Sequence, residues 1–302
     1  MDYVSEYHTP VLLHESVEAL NINPDGIYVD CTFGGGGHSL HILKQLSDKG
    51  TLMAFDQDED ALKNKFDDKR LILVHHNFKF LNQFLDYHHI EKIDGLLVDL
   101  GISSLQIDDA ERGFAHRFDA DLDMRMSKGQ GLSAKEILNT YSLNRLTSVL
   151  REFGELKNAY KVANAIVAKR ASGGIKTTGE LNTLLQGVSA DFNMARNLSK
   201  VYQAIRIEVN GEIEALKDML LCCPERIKPG GSLVIISYHS IEDRIAKNFL
   251  KTGNFENNLS KDFYGNIEKP FTADKKVILP SKEEMDRNTR ARSAKMRIAK
   301  KN

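Results

Sequence analysis

Residues 29 to 39 read V-D-C-T-F-G-G-G-G-H-S. The run joins an apolar stretch, Gly26 to Asp30, to a helix-like stretch from Ser39 to Leu46. A glycine cluster at the carboxyl end of an apolar strand lets the backbone turn tightly, so that its amides and the following helix start can face a ligand. A second strand, Thr51 to Phe55, ends on Asp56, a carboxylate suited to both hydroxyls of a ribose. Together they describe a nucleoside-binding half-sheet, although a glycine run alone could equally be a turn or hinge.

The spacing narrows the ligand. Gly34, Gly35, Gly36 and Gly37 are consecutive, which is not the G-x-G-x-x-G of dinucleotide sites, and no lysine follows to make a triphosphate loop. An oxidoreductase on the same half-sheet is therefore disfavoured. A ligand without a pyrophosphate remains, and S-adenosylmethionine fits that description.

Composition sets outer bounds. The chain has 302 residues, enough for one large α/β domain or a core with a smaller one, and no sustained apolar run long enough to span a membrane. The amino terminus carries no basic apolar leader, so a cytoplasmic protein is expected. Three cysteines, Cys31, Cys222 and Cys223, supply neither a paired framework nor four zinc ligands. Asp30, His38, Asp56 and Asp99 lie on loops better used for a cofactor, and no metal is expected.

The first half alternates strand and helix. Gly26 to Asp30, Thr51 to Phe55, Leu71 to Val74 and Gly95 to Leu100 are apolar runs of strand length with helical or loop segments between them. Short helices are then expected over 132–139, 143–152, 156–170 and 178–185, divided by glycines, before strand character returns at Ser232 to Ser237. This order predicts a Rossmann-like sheet, residues 1–106 and 213–302, interrupted by an inserted helical domain, residues 107–212, that recognises the substrate. The helices could instead be an elaboration of one core. Residues 251–270 read as a polar loop.

A second polar constellation, D-L-G-I-S-S-L-Q at 99 to 106, follows the fourth strand. Asp99 stands where open α/β sheets put reacting groups, and Ser103 and Ser104 join it as candidate catalytic residues that hydrogen-bond the acceptor. A carboxylate there can hold an exocyclic amine and tolerate charge developing on its nitrogen. A structural cap is the plainer reading of Asp99. The [D/N]-P-P-[Y/F/W] motif of base-amino methylation is absent, so hydrogen bonding rather than ring stacking should hold the acceptor. Three further polar segments supply candidate substrate contacts: Arg112 and Arg125 (E-R-G-F and L-D-M-R-M), Arg206 and Asn210 (Q-A-I-R-I-E-V-N), and His239 (S-Y-H-S-I-E-D-R). A solitary histidine is more often structural.

Net charge is -1, but it is unevenly spread: residues 271–302 carry ten Lys/Arg and four Asp/Glu, leaving the rest acidic. Arg290, Arg292, Lys295 and Arg297 form a candidate phosphate-contacting stripe. A solubilising tail is the alternative. Ala294, Met296 and Ile298 alternate with Lys295 and Arg297, which also allows a half-buried terminal strand.

Eight ordered blocks carry a resemblance over nearly the whole chain: H-T-P-V-L-L at 8–13, D-C-T-F-G-G-G-G-H-S at 30–39, D-L-G-I-S-S at 99–104, E-R-G-F at 111–114, L-D-M-R-M at 122–126, Q-A-I-R-I-E-V-N at 203–210, H-S-I-E-D-R at 239–244 and R-A-R-S-A-K-M-R at 290–297. The chain resembles the bacterial small-subunit ribosomal RNA cytosine-N4-methyltransferases. The resemblance implies a class I S-adenosylmethionine-dependent methyltransferase core with a helical insertion, acting on N4 of cytidine 1402 of 16S rRNA. It implies cofactor contacts at Gly36, Gly37, His38, Asp56, Phe78, Asp99 and Gln106. Ala115 and His116 depart from the family's usual serine–aromatic pair. The expected partner is 16S rRNA, within the 30S subunit or a late assembly particle, with a homodimer possible and no membrane. A methyltransferase-like RNA-binding protein without catalysis is the alternative function.

Overall fold

The computed structural model describes residues 10–188, 194–258 and 269–302, with side chains from 197 onward in the second stretch. His8 and Thr9 of the first of the eight blocks, and 259–268 of the expected loop, lie outside the described residues. The chain divides into two compact units, Met1–Gly101 with Ile213–Asn302, and Ile102–Glu212.

The first unit is built on a seven-stranded sheet. In chain order its elements are α1 (Leu13–Leu20), β1 (Ile27–Asp30), α2 (Gly37–Leu43), β2 (Thr51–Asp56), β3 (Leu71–His75), α3 (Leu81–Tyr87) and β4 (Ile93–Asp99). The helical unit follows, with α4 (Ser104–Asp108), α5 (Ala134–Thr140), α6 (Leu143–Glu152), α7 (Ala159–Arg170), α8 (Thr178–Gln186) and α9 (Met194–Asn210). Then come α10 (Glu212–Arg226), β5 (Ile227–Ser237), α11 (Ser240–Thr252), β6 (Phe271–Ala273), α12 (Lys282–Arg287) and β7 (Lys295–Lys301).

The sheet order is β3-β2-β1-β4-β5-β7-β6, with β7 antiparallel to both neighbours and β1 to β5 mutually parallel. Strands buried on both faces need apolar residues at successive positions, and Leu52 to Phe55 and Leu96 to Val98 are all fully buried. The parallel run brings Asp30, Asp56 and Asp99 to the carboxyl ends of β1, β2 and β4. In such sheets that edge, where neighbouring strands lead to opposite faces, is where ligands bind.

The carboxyl-terminal residues are part of this sheet. Met296 and Ile298, with Ala294, pack into the cluster holding Leu12, Leu20, Tyr28 and Ile236. On the opposite face Arg297 Nε donates to Asp243 Oδ1 of α11 at 2.7 Å, and Lys295 Nζ lies 3.4 Å from Asp243 Oδ2. The expected half-buried terminal strand is present, and it lies inside the sheet between β5 and β6.

The helical unit has its own core, in which Leu122, Met124, Leu138, Leu150, Val162, Ile166, Leu181 and Val201 are fully buried. Capping boxes begin α5 (Ser133 with Glu136) and α8 (Thr177 with Glu180). The unit starts at Ile102 rather than at the expected 107, so Ser103, Ser104 and Gln106 fall within it. Helix α9 was missed in the sequence, where its end reads as a polar segment. Its buried Leu198, Val201, Tyr202 and Ile205 nonetheless recur at helical spacing. No helix among the described residues is long and apolar enough to cross a membrane.

Candidate active site

The glycine turn is braced from beneath by Asp30. Its buried carboxylate accepts from Ser39 Oγ of α2 at 2.6 Å and from the Thr32 backbone N–H at 3.0 Å. Thr32 Oγ1 in turn accepts the backbone N–H of Asp99 at 2.8 Å, which fastens the end of β4 to the start of the turn. Gly34 (φ +51) and Gly36 (φ +77) are left-handed, a region glycine enters without penalty. A Cβ on Gly36 would stand 2.5 Å from Phe66 Cζ, and one on Gly37 would stand 2.1 Å from Pro10 Cγ. Both positions exclude side chains for packing reasons. A Cβ on Gly34 would meet nothing within 4 Å, so the open side of the turn is there. His38 is buried, with Nε2 3.2 Å from the Val11 carbonyl; a carbonyl only accepts, so the proton is on Nε2.

Asp56 closes the next strand. Its Oδ2 accepts the Gly34 N–H at 2.8 Å and its Oδ1 the Asp58 N–H at 2.9 Å. Each oxygen keeps a lone pair, which is what a vicinal diol needs from a carboxylate. Burial pushes its pKa up to about 6, against the two backbone donors that lower it and the Asp58 and Asp30 carboxylates that raise it. Gln57 Oε1 accepts from Asn77 Nδ2 at 2.9 Å, tying the end of β2 to the turn bearing the half-buried Phe78.

Asp99 completes the row. Its Oδ1 accepts the Tyr238 hydroxyl at 2.8 Å. Although part of its surface reaches solvent, its dense surroundings push the pKa up to about 7. The Tyr238 hydrogen bond opposes that rise, while the carboxylates of Asp30, Glu242 and Glu284 add to it. Asp99 is a strand-end group with a donor of its own, not a helix cap. No group of three or more His, Cys, Asp or Glu among the described residues could hold a metal ion.

His239 is a cap. Its Nδ1 accepts the Glu242 N–H at 3.4 Å and Glu242 reaches back to the His239 N–H, closing the box that starts α11. Its buried Nε2 is 3.0 Å from Glu242 Oε1, but off the line of a hydrogen bond. Arg292 and Lys295 are exposed, whereas Arg290 and Arg297 are half-buried.

In the helical unit the expected substrate contacts bind one another. Arg112 is buried and its Nη2 donates to the carbonyls of Arg125 (2.9 Å) and Met126 (3.1 Å). Asn210 accepts the Met126 N–H at 2.7 Å and donates to the Met124 carbonyl at 2.8 Å. Arg206 grips Glu212 through Nε and Nη2, both at 2.8 Å, and Arg125 grips Asp123 in the same two-pronged way. This knot holds Met124 at φ +59, where a side chain is strained. Ser103 and Gln106 form the capping box of α4, with Ser103 Oγ accepting the Gln106 N–H (3.2 Å) and Gln106 Oε1 the Ser103 N–H (3.0 Å). Ser104 is buried.

Residues 5–302 match the MraW methylase family. The chain belongs to the MraW methylase family. Among relatives, ribosomal RNA small subunit methyltransferase H of Christiangramia forsetii is 52% identical over 301 residues, covering 100% of both chains. The protein of the same name from Bacteroides fragilis strain YCH46 is 52% identical over 296 residues, covering 98% of this chain and 97% of that one. That of Flavobacterium johnsoniae is 51% identical over 301 residues, with 100% of both covered.

As an MraW methylase, the chain is a methyltransferase whose Rossmann-like sheet is the class I, S-adenosylmethionine-dependent core. Further residues of this MraW methylase surround the strand-end carboxylates without a clear signature in its sequence. Tyr238 sits next to His239 in a segment singled out for the histidine, yet it is the tyrosine that reaches Asp99. Asp30 and Ser39 lie in the glycine block, and their hydrogen bond to each other, which braces the turn, has no signature in the sequence. Glu284 has no local signal, because its partner Leu12 is 272 positions away.

Proposed function

We propose that this chain transfers a methyl group from S-adenosylmethionine to N4 of cytidine 1402 in 16S ribosomal RNA. One observation supports this most: the carboxylates of Asp56 and Asp99, at the ends of the two strands that flank β1 and its glycine turn, keep acceptor capacity among the described residues. The printed name of the relatives, ribosomal RNA small subunit methyltransferase, supports the substrate class.

The residues fit the donor. Gly36, Gly37 and His38 would line its methionyl part, Asp56 would take the ribose hydroxyls on its two remaining lone pairs, and Phe78 would cover the adenine. Gln106 would join them, held in shape by the α4 cap. When bound, the donor supplies an electrophilic methyl group carried on a sulfonium.

Asp99 acts on the acceptor. The lone pair of a cytosine amine is delocalised into the ring, so orientation of the nitrogen limits the reaction more than prior deprotonation. An ionised Asp99 accepts an N–H of the amine on Oδ2, fixing the nitrogen in line for transfer and stabilising the positive charge that develops on it. The surplus proton then leaves to Asp99 or to water. Ser103 and Ser104 shape the turn that follows. The helical unit would hold the RNA, and exposed Arg292 and Lys295, with Arg290, would contact phosphates of a locally single-stranded target in the small subunit or a late assembly particle.

Mass spectrometry of small-subunit rRNA from cells with and without the gene tests the proposal. The N4-methyl group at cytidine 1402 should vanish in the deletion and return with the wild-type gene. An unchanged nucleotide would overturn it.

A further inference from the structure

Asp99 is placed by contacts from three elements. Its backbone N–H is fastened to Thr32, its strand neighbour is Ile236 of β5, and Tyr238 stands two residues beyond that neighbour. The Tyr238 backbone is itself fixed, because its N–H donates to Glu242 Oε2 at 2.9 Å within the α11 capping box. Its ring lies over the turn after β4: a Cβ on Gly101 would be 3.6 Å from Tyr238 Cδ2, and Gly101 has φ +100, so no side chain intrudes. From that seat the hydroxyl reaches Asp99 Oδ1 at 2.8 Å. An ionised carboxylate only accepts, so the phenol is the donor.

Among the described residues the charged groups facing Asp99 are Asp30 on β1, Glu242 on α11 and Glu284 on α12, and all three are acidic. Each opposes ionisation of Asp99, as does burial. Among the described residues the Tyr238 hydroxyl is the side-chain donor that favours the charged form. It also occupies one oxygen and leaves Oδ2 as the other.

We propose that Tyr238 is a positioning residue for methyl transfer: its hydroxyl holds Oδ1 of Asp99 and turns Oδ2 toward the acceptor amine. The inference rests on the reading of Asp99 as the group that holds the amine. Tyr238 acts through Asp99, to which its hydroxyl is bonded.

The test uses the whole protein with carbon-13-labelled aspartate, the Asp99 carboxyl signal being assigned by its loss in Asp99→Asn. In the free protein, Tyr238→Phe should move the Asp99 titration to higher pH by about one unit, roughly a tenfold change in the ionised fraction at a given pH. The rising limb of kcat on small-subunit RNA should move by the same amount and recover at high pH, with KM for the donor little changed. Incorporating 3-fluorotyrosine at position 238, a more acidic phenol in the same seat, should move both the opposite way. This second variant also serves if the phenylalanine protein folds poorly. An Asp99 titration that stays put in these proteins overturns the proposal, as does a loss of kcat equal at every pH. A wild-type protein that methylates no small-subunit RNA would instead sink the functional reading, and the free-protein titration would still report on the hydrogen bond.

Discussion

Glu284 Oε1 accepts the backbone N–H of Leu12 at 2.7 Å, so a carboxylate of α12 holds the residue that starts α1. Leu12 is fully buried with φ +53, and no side chain of its own caps that end. Glu284→Ala would leave the N–H without a partner, a loss of about 1–3 kcal/mol that urea unfolding should register. Because Val11 and Pro10 contact His38 and Gly37, donor affinity should weaken as well. Unchanged stability in the variant would contradict the anchor.

Burial pushes the Asp56 carboxyl up to about 6 and that of Asp99 up to about 7, above the ordinary carboxylate value of 3.8. The folded protein therefore binds more protons than the unfolded chain between those values. Their contribution to stability is full below about pH 4 and is lost as pH rises through about 6 to 7. Asp99→Asn removes one share of that loss. At about pH 8 the variant should be roughly 1–3 kcal/mol more stable than wild type, after discounting for partial exposure, with the gap closing toward acid. Turnover should fall sharply in the same protein. Urea midpoints measured across pH decide the first point; a gap that widened in acid would reverse the sign.

Asp56→Ala deletes the diol acceptor together with the supports of the Gly34 and Asp58 N–H groups. A charge-assisted hydrogen bond is worth about 1.5–3 kcal/mol, so S-adenosylhomocysteine should bind at least ~10-fold more weakly by calorimetry. Equal affinity would remove Asp56 from the donor site.

Asn210→Ala should unfold the helical unit more readily without acting on RNA directly. It removes the hydrogen bonds to the Met126 N–H and the Met124 carbonyl at once, and at about 0.5–1.5 kcal/mol for a typical hydrogen bond the loss should be about 1–3 kcal/mol. Hydrogen exchange should show weakened protection at 122–126. RNA affinity per folded molecule that fell while this protection held would restore Asn210 to the substrate.

The basic stripe should divide by residue. Charge reversal at Arg292, which is exposed, should weaken RNA binding and reduce its salt dependence, the slope falling by about 0.7 for each phosphate of a single strand that is no longer neutralised. Arg297→Ala should instead lower thermal stability, since it leaves the half-buried Asp243 with only the distant Lys295. Equal RNA losses in both, with unchanged melting, would refute the division.

The parallel strands were legible because residues buried on both faces must be apolar in succession, as Leu96 to Val98 are. The strand-end carboxylates followed from them. The internal partners of the helical unit's arginines were not legible: a polar residue in an unusual setting signals a partner, and sequence does not show that Arg112 reaches the carbonyls of Arg125 and Met126. Tyr238 and Glu284 were invisible because their partners, Asp99 and Leu12, lie far off in the chain.

The pairing of β4 with β5 brings Asp99 level with Ile236, while the whole of Ile102–Glu212 intervenes. No other pairing in the sheet spans so much chain. Loop-closure entropy grows only logarithmically with length, so an insertion of this size adds little to the equilibrium cost of joining the strands. Its effect falls on kinetics, because segments distant in sequence are slow to find one another. The pairing that seats Asp99 is thus among the last the chain can search out, and refolding protein should regain the β1-to-β4 part of its sheet before it regains activity.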